Sequence, residues 1–183
     1  MSINLSKGQK VSLKKDDGQA ITSILLGLGW DVGSQRIDLD GSCATFDQNG
    51  SLLESIYYGN KKSKNGAIKH SGDNLTGAGA GDDEQILVDL NSLPAAVQNV
   101  VLTVTSYSGQ RFTSVKNAYV RIVNRNDSQE LCRYNLTEKY DTTGIILARL
   151  YRHNGEWKVA AIGEPANGKT ISALVPAIKA ILG

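Results

Sequence analysis

Apolar residues alternate with polar ones, or run together, over strand-length stretches along most of the chain. Such stretches occupy residues 9–13, 21–30, 39–46, 52–58, 85–90, 100–107, 118–124, 130–136, 145–153 and 157–162. They are rich in Val, Ile, Thr and Tyr, whose branched or flat side chains suit a pleated, half-buried surface. Turn chemistry separates them. Asp47-Gln48-Asn49-Gly50 reads as a hairpin turn with Gly50 supplying the positive φ, and Asn154-Gly155 is a second, stronger hairpin signal. Many short strands at regular turn spacing predict an all-β fold, a two-sheet antiparallel β-sandwich. Helical spacing stands out in the C-terminal segment, where Ile171, Leu174, Val175, Ile178, Ile181 and Leu182 share one face. Thr170 is placed to cap this short C-terminal helix, Pro176 should kink or delay it, and its apolar face should lie on a sheet.

Composition narrows the function classes. The chain has 183 residues, 40% of them hydrophobic and 21% charged, which fits one domain over 1–183 with a core that needs no cross-links. A formal net charge of +2 gives no global field toward nucleic acid, and 6% aromatic residues provide little stacking surface for single strands. No nucleic-acid partner is expected. The N-terminal stretch lacks an apolar run behind its basic residues, and no apolar run approaches the ~18 residues of a membrane span. Cys43 and Cys132 are far apart, match no metal or redox spacing, and read as small buried hydrophobes in a reducing cytoplasm.

The chemistry concentrates in one low-complexity stretch. Residues 71–84 read SGDNLTGAGAGDDE, with acids, amide and hydroxyl oxygens, small residues and neither Lys nor Arg. A run of Gly between acids suits neither a strand nor a helix interior, but it can fold back tightly and bring Asp73 and Asn74 toward Asp82, Asp83 and Glu84. Carboxylates so placed repel one another, and a divalent cation removes the repulsion. Calcium takes six to eight hard oxygens from carboxylates, amides and backbone carbonyls, which is what this loop offers. Magnesium prefers a small rigid octahedron with its own waters, and zinc finds no Cys here and only His70 nearby. Asp38-Leu39-Asp40 is a second cue, since at a strand start its two carboxylates share a face while Leu39 turns to the core. Asp31, after Gly27-Leu28-Gly29-Trp30, is a further candidate. An EF-hand does not account for these acids: counted from Asp38, Cys43 stands where Gly is needed and Asn49 where the bidentate Glu is needed.

With these residues in view the chain resembles the TerD family of tellurite-resistance and stress proteins. The resemblance rests on Leu5-Ser6-Lys7-Gly8, Gly27-Leu28-Gly29-Trp30-Asp31, Asp38-Leu39-Asp40 and above all the run from Gly72 to Glu84. Arg133-Tyr134-Asn135-Leu136 and the stretch 150–158 extend it toward the C-terminus, so it covers nearly the whole chain. It implies a β-sandwich that binds Ca2+, usually two ions, through acidic loops, with the family's positions falling here on Asp31, Asp38, Asp40, Asp73, Asn74, Thr76, Gly77, Asp82, Asp83 and Glu84. It also implies a bacterial, cytoplasmic role beside other tellurite-resistance and stress proteins, near the inner face of the membrane.

Two rival readings remain. Gly163-Glu164-Pro165-Ala166-Asn167-Gly168-Lys169-Thr170 matches the P-loop spacing G-x-x-x-x-G-K-[ST], after a predicted strand and before a predicted helix. Against it, 157–162 looks like half of an antiparallel hairpin, and too little chain follows for the parallel crossover such folds require. A simple anion site at that helix N-terminus is a milder form of the same idea. The other rival is a calcium-dependent peripheral membrane binder, with Lys61-Lys62-Ser63-Lys64 assisting at anionic headgroups. Catalysis finds no support: His70 and His153 lie far apart, neither beside a nucleophile pattern, and no catalytic residue is expected. His70, next to the acidic loop, is placed to support it.

Overall fold

The computed structural model describes residues 8–13, 18–31, 36–73, 81–137 and 140–183. Eleven strands occur among them: β1 (Lys10–Ser12), β2 (Ser23–Asp31), β3 (Leu39–Phe46), β4 (Leu52–Ile56), β5 (Ile68–His70), β6 (Glu84–Asp89), β7 (Asn99–Ser106), β8 (Lys116–Asn124), β9 (Gln129–Asn135), β10 (Gly144–His153) and β11 (Glu156–Ala166). They form a six-stranded sheet, order β1-β11-β10-β7-β3-β4, and a five-stranded sheet, order β5-β6-β2-β8-β9, with antiparallel pairing throughout. Helix α1 (Ile171–Leu182) ends the chain.

Period-two alternation decides which side chains fill the space between the sheets. Ile24, Leu26, Leu28 and Trp30 of β2 face inward with Ile86 and Val88 of β6, and meet Leu39, Cys43, Val100, Leu102 and Val104 of the opposite sheet in one buried cluster. The other face of β3, β7 and β10 is not left to water. Ala44, Phe46, Val101 and Ile146 form a second cluster with Ile171, Leu174 and Ile178 of α1, so the helix covers the outer face of the six-stranded sheet. This is why β3 and β7 are buried at every position.

The hairpin signals hold. Gly50 takes φ +74° in the β3–β4 turn, where Asp47 accepts the backbone N–H of Gly50. Asn154 and Gly155 both lie at positive φ, 52° and 77°, between β10 and β11. The C-terminal helix covers the predicted span, but Thr170 makes no side-chain capping hydrogen bond, and Pro176 sits inside the helix on its exposed side without ending it.

The P-loop reading is overturned. Residues 163–166 complete β11 instead of looping, with Ile146 opposite Glu164, Ile145 opposite Pro165 and Gly144 opposite Ala166. Both neighbours of β11 are antiparallel, three of the eight motif positions pair in the ladder, and Gly163 takes φ +59° at the bulge beside them. Pro165, which has no N–H to donate, lies beyond residues 158–160, where β11 pairs with β1 among the described residues.

Candidate metal centre

Asp38 and Asp40 stand at the start of β3, where the strand emerges beside the turn after β7. The turn fixes Asp38 from both sides: its N–H donates to Ser108 Oγ at 3.0 Å, and its carbonyl accepts the N–H of Tyr107 at 3.0 Å. Ile37, just before, is held by the buried indole of Trp30, whose Nε1 donates to the Ile37 carbonyl at 3.1 Å. Asp40 pairs across the ladder with Thr105. From the other sheet, the chain leaving β5 brings in Asp73.

Carboxylate oxygens of Asp38, Asp40 and Asp73 lie within 4.8 Å of one another, with Asp40 buried, Asp38 half-buried and Asp73 exposed. Two donors at about 2.4 Å on either side of one calcium ion would be at most about 4.8 Å apart, so the cluster has the span of a single ion. Asp38 Oδ1 and Asp40 Oδ2 are buried and have no hydrogen-bond partner. Burial, reinforced by Asp73 and Glu84, raises the Asp38 pKa to about 6. Burial, reinforced by Glu84, Asp38 and Asp73, raises that of Asp40 to about 8. Buried carboxylate oxygens without donors, in a cluster of three acids, fit a hard divalent cation, and the all-oxygen set fits calcium better than zinc.

Glu84 and His70 hold the two sheets together behind this cluster. Glu84 points inward from β6, and its Oε2 accepts the N–H of Gly41 at 2.9 Å. The Gly72 N–H donates to His70 Nδ1 at 3.0 Å, so the ring proton is on Nε2, which donates to the Gly41 carbonyl at 3.0 Å and lies 3.5 Å from Glu84 Oε2. Gly41 needs these partners because β4 pairs with β3 only from Cys43 onward, leaving the Gly41 edge without a strand. A Cβ on Gly41 would come 3.7 Å from Glu84 Oε2, within ordinary contact. One imidazole therefore ties the segment carrying Asp73 to the residue next to Asp40.

The remaining acids do not join the triad. Asp82 is turned over the outer face of the five-stranded sheet, where Arg121 donates to both its oxygens at 2.8 and 2.9 Å and Tyr119 OH donates at 3.2 Å. The motif Gly27-x-Gly29 makes room for this arrangement. A Cβ on Gly27 would meet the Asp82 carboxylate at 2.3–2.7 Å, and one on Gly29 would meet the Tyr119 ring at 2.5 Å. The expectation that Asp82 folds back onto Asp73 thus fails, because a paired guanidinium satisfies it elsewhere. Asp83 Oδ2 accepts the Trp30 N–H at 3.0 Å, and Asp31 Oδ2 accepts from Asn117 Nδ2. Asp83, its pKa raised by burial, feels the charges of Asp82 and Asp31 rather than those of the triad, so these three acids form a separate group. The candidate ligands Asn74, Thr76 and Gly77 lie outside the described residues.

Sequence reasoning did not find Arg121, Tyr119, or the hydroxyls beside Asp40. Their partners are 37 to 65 residues away and carry no local signal. Cys43 and Cys132 are buried free thiols pushed up to about 12 by desolvation, unsuited to redox work. His153 is exposed at its hairpin. Among the described residues, no helix is long and apolar enough to cross a membrane.

The comparisons with known proteins agree with this architecture. The chain is 42% identical to the tellurium resistance protein TerZ of Serratia marcescens over 181 residues, covering 92% of this chain and 93% of that one. It is 43% identical to the general stress protein 16U of Bacillus subtilis (strain 168) over 180 residues, with the same shares covered. A crystal structure of a homologue of the telluride resistance protein TerD from Streptomyces coelicolor A3(2) superposes with a TM-score of 0.76 at 19% identity, covering 85% of this chain and 96% of that one, which speaks for the fold. The family profile described as the TerD domain matches residues 1–177, and the chain belongs to that family.

Proposed function

We propose that this chain is a calcium-binding, non-catalytic module that uses bound Ca2+ to lock one end of its sandwich. The observation that carries the reading is the pair of buried, unpartnered oxygens on Asp38 and Asp40 converging with Asp73. Asp40 lies in β3 of the six-stranded sheet and Asp38 just before it, whereas Asp73 follows β5 of the other. An ion held by all three would bridge the two sheets where the Gly41, Glu84 and His70 contacts already join them. Calcium would supply only charge neutralisation and a many-oxygen junction. The residues present the oxygens, exclude water from two of them and set the proton that must leave before the ion enters. The acids Asp31 and Asp83 mark where a second ion would lie.

The names of relatives, a tellurium resistance protein and a general stress protein, support a role for such a module in tellurite resistance and the stress response; on this reading it acts in the cytoplasm with other proteins of those responses. Calorimetric titration of chelator-treated protein with calcium tests the reading. Wild type should bind with measurable heat, and Asp73→Asn should weaken binding by about 10-fold or more, since ligand charge tunes such sites. Absence of calcium heat in the wild type would refute it.

A further inference from the structure

The outer face of the six-stranded sheet is apolar under most of α1 but turns polar under its first residues. Asp40 and Thr105 face each other across β3 and β7, and Ser42 and Thr103 form the next pair. A cavity of about 170 Å³ opens there, lined by Asp40, Ser42, Thr105, Thr170, Ser172 and the pair Tyr57–Tyr58. Thr105 Oγ1 is wholly buried, lines this cavity and has no hydrogen-bond partner, although it stands directly across from Asp40. The Thr170 side chain does not cap this twelve-residue helix, and with the Ala173 N–H bonded to the Thr170 carbonyl at 3.1 Å, the N–H groups of Ile171 and Ser172, both residues of the cavity lining, are left to it. Lys169, next in the chain to Thr170, lies over Gly109 in the turn after β7, where a Cβ on Gly109 would come 3.1 Å from its Cε.

The geometry points to a small-oxyanion site that is assembled only when the metal centre is filled. The N–H groups of Ile171 and Ser172, the positive end of a helix dipole and the unpaired Thr105 hydroxyl together favour an anion bearing several oxygens. The volume falls below the roughly 300–1,000 Å³ usual for drug-sized ligands, which suits a phosphate-like group and not a nucleotide. Asp40 supplies the control. Without an ion it brings no positive charge to the cavity wall; holding a divalent ion, it would present one to the anion. The helix start then takes the remaining oxygens. This inference rests on the calcium reading and extends it: the protein would report calcium by taking up an oxyanion. The phosphate-like group could be a free ion or a lipid headgroup.

Calorimetry with the full chain separates the outcomes. Calcium is titrated first; inorganic phosphate, and sulfate in parallel to avoid calcium phosphate precipitation, are then titrated into calcium-loaded and chelator-treated protein. The expected result is anion binding at least 10-fold tighter with calcium, and calcium binding tightened by the same factor in saturating anion, as linkage requires. Ser172→Asp, which puts a carboxylate at the helix start, should remove anion binding while calcium still binds. Thr105→Val, nearly isosteric, should weaken the anion several-fold with its melting temperature little changed. Sedimentation with phosphatidic acid vesicles, against phosphatidylcholine vesicles, identifies a headgroup as the source if only the former bind and Ser172→Asp abolishes it. Anion binding indifferent to calcium, anion binding unaffected by Ser172→Asp, or no uptake of phosphate, sulfate or vesicles by calcium-loaded protein overturns the inference alone. Failure of calcium itself to bind overturns it together with the calcium reading.

Discussion

Asp40 carries the sharpest consequences at the scale of single residues. Burial and its acidic neighbours move its carboxyl from the ordinary 3.8 to about 8, and Asp38 moves from 3.8 to about 6. A folded-state pKa raised above the unfolded one favours the fold while the group is protonated in both states, below about pH 4. That contribution is lost as pH climbs through the folded values. The metal-free protein should therefore lose stability between about pH 4 and pH 8, and denaturant midpoints measured in chelator across that range check it. Calcium runs the other way, since it needs the carboxylates bare. At pH 7 its binding should release protons, seen as a binding enthalpy that varies with the ionisation heat of the buffer. Asp40→Asn separates the two roles. It should weaken calcium binding by about 10-fold or more, yet stabilise the chelated protein by about 1 kcal/mol, because a buried carboxyl among like charges becomes a neutral amide. Loss of stability in both states would mean that Asp40 is held by some other partner.

At the scale of elements, the Asp82–Arg121 pair shows how a site-like residue can be structural. Asp82 is fully buried, while Arg121 is one-third exposed and continues to Glu130 at 3.6 Å and through it to Arg133. Removing the guanidinium with Arg121→Ala takes the charged partner from a buried carboxylate and should cost about 3 kcal/mol in chemical denaturation, with calcium affinity at the triad little changed. The acid triplet 82–84 reads as one ligand cluster because the chain itself does not show that Arg121 lies across β2 from Asp82. The strands were more legible than the site. Alternation marks β3 and the helical spacing marks α1 at their observed bounds. β5 escaped because it is three residues set in a turn-rich, lysine-rich stretch, too short for a period to show. β11 runs past residue 162 through Gly163 and Pro165, residues that punctuate a strand in isolation, with Gly163 taken up at the bulge opposite Ile146 and Ala148.

For the whole molecule, the site joins two sheets that pack through a largely apolar interface and, at this end, through the polar contacts of Glu84 and His70 to Gly41. Asp38 and Asp40 could be read from their own spacing, and Asp73 from its glycine-rich setting. That these three converge, while Asp82 turns away, depends on how the sheets stack, which no local pattern encodes. The contacts of His70 and Glu84 to Gly41 set that stacking at this end. A cation at the triad should then act on global stability rather than on a surface loop. Thermal unfolding of wild-type protein and Asp40→Asn, each in saturating calcium and in chelator, tests this most directly. With calcium at about 100 times its dissociation constant, wild type should melt on the order of 5–10 °C higher than in chelator, and Asp40→Asn should lose most of that gap. Coincident wild-type curves in calcium and chelator, or a gap that survives Asp40→Asn intact, would contradict a sandwich locked by an ion on Asp38, Asp40 and Asp73.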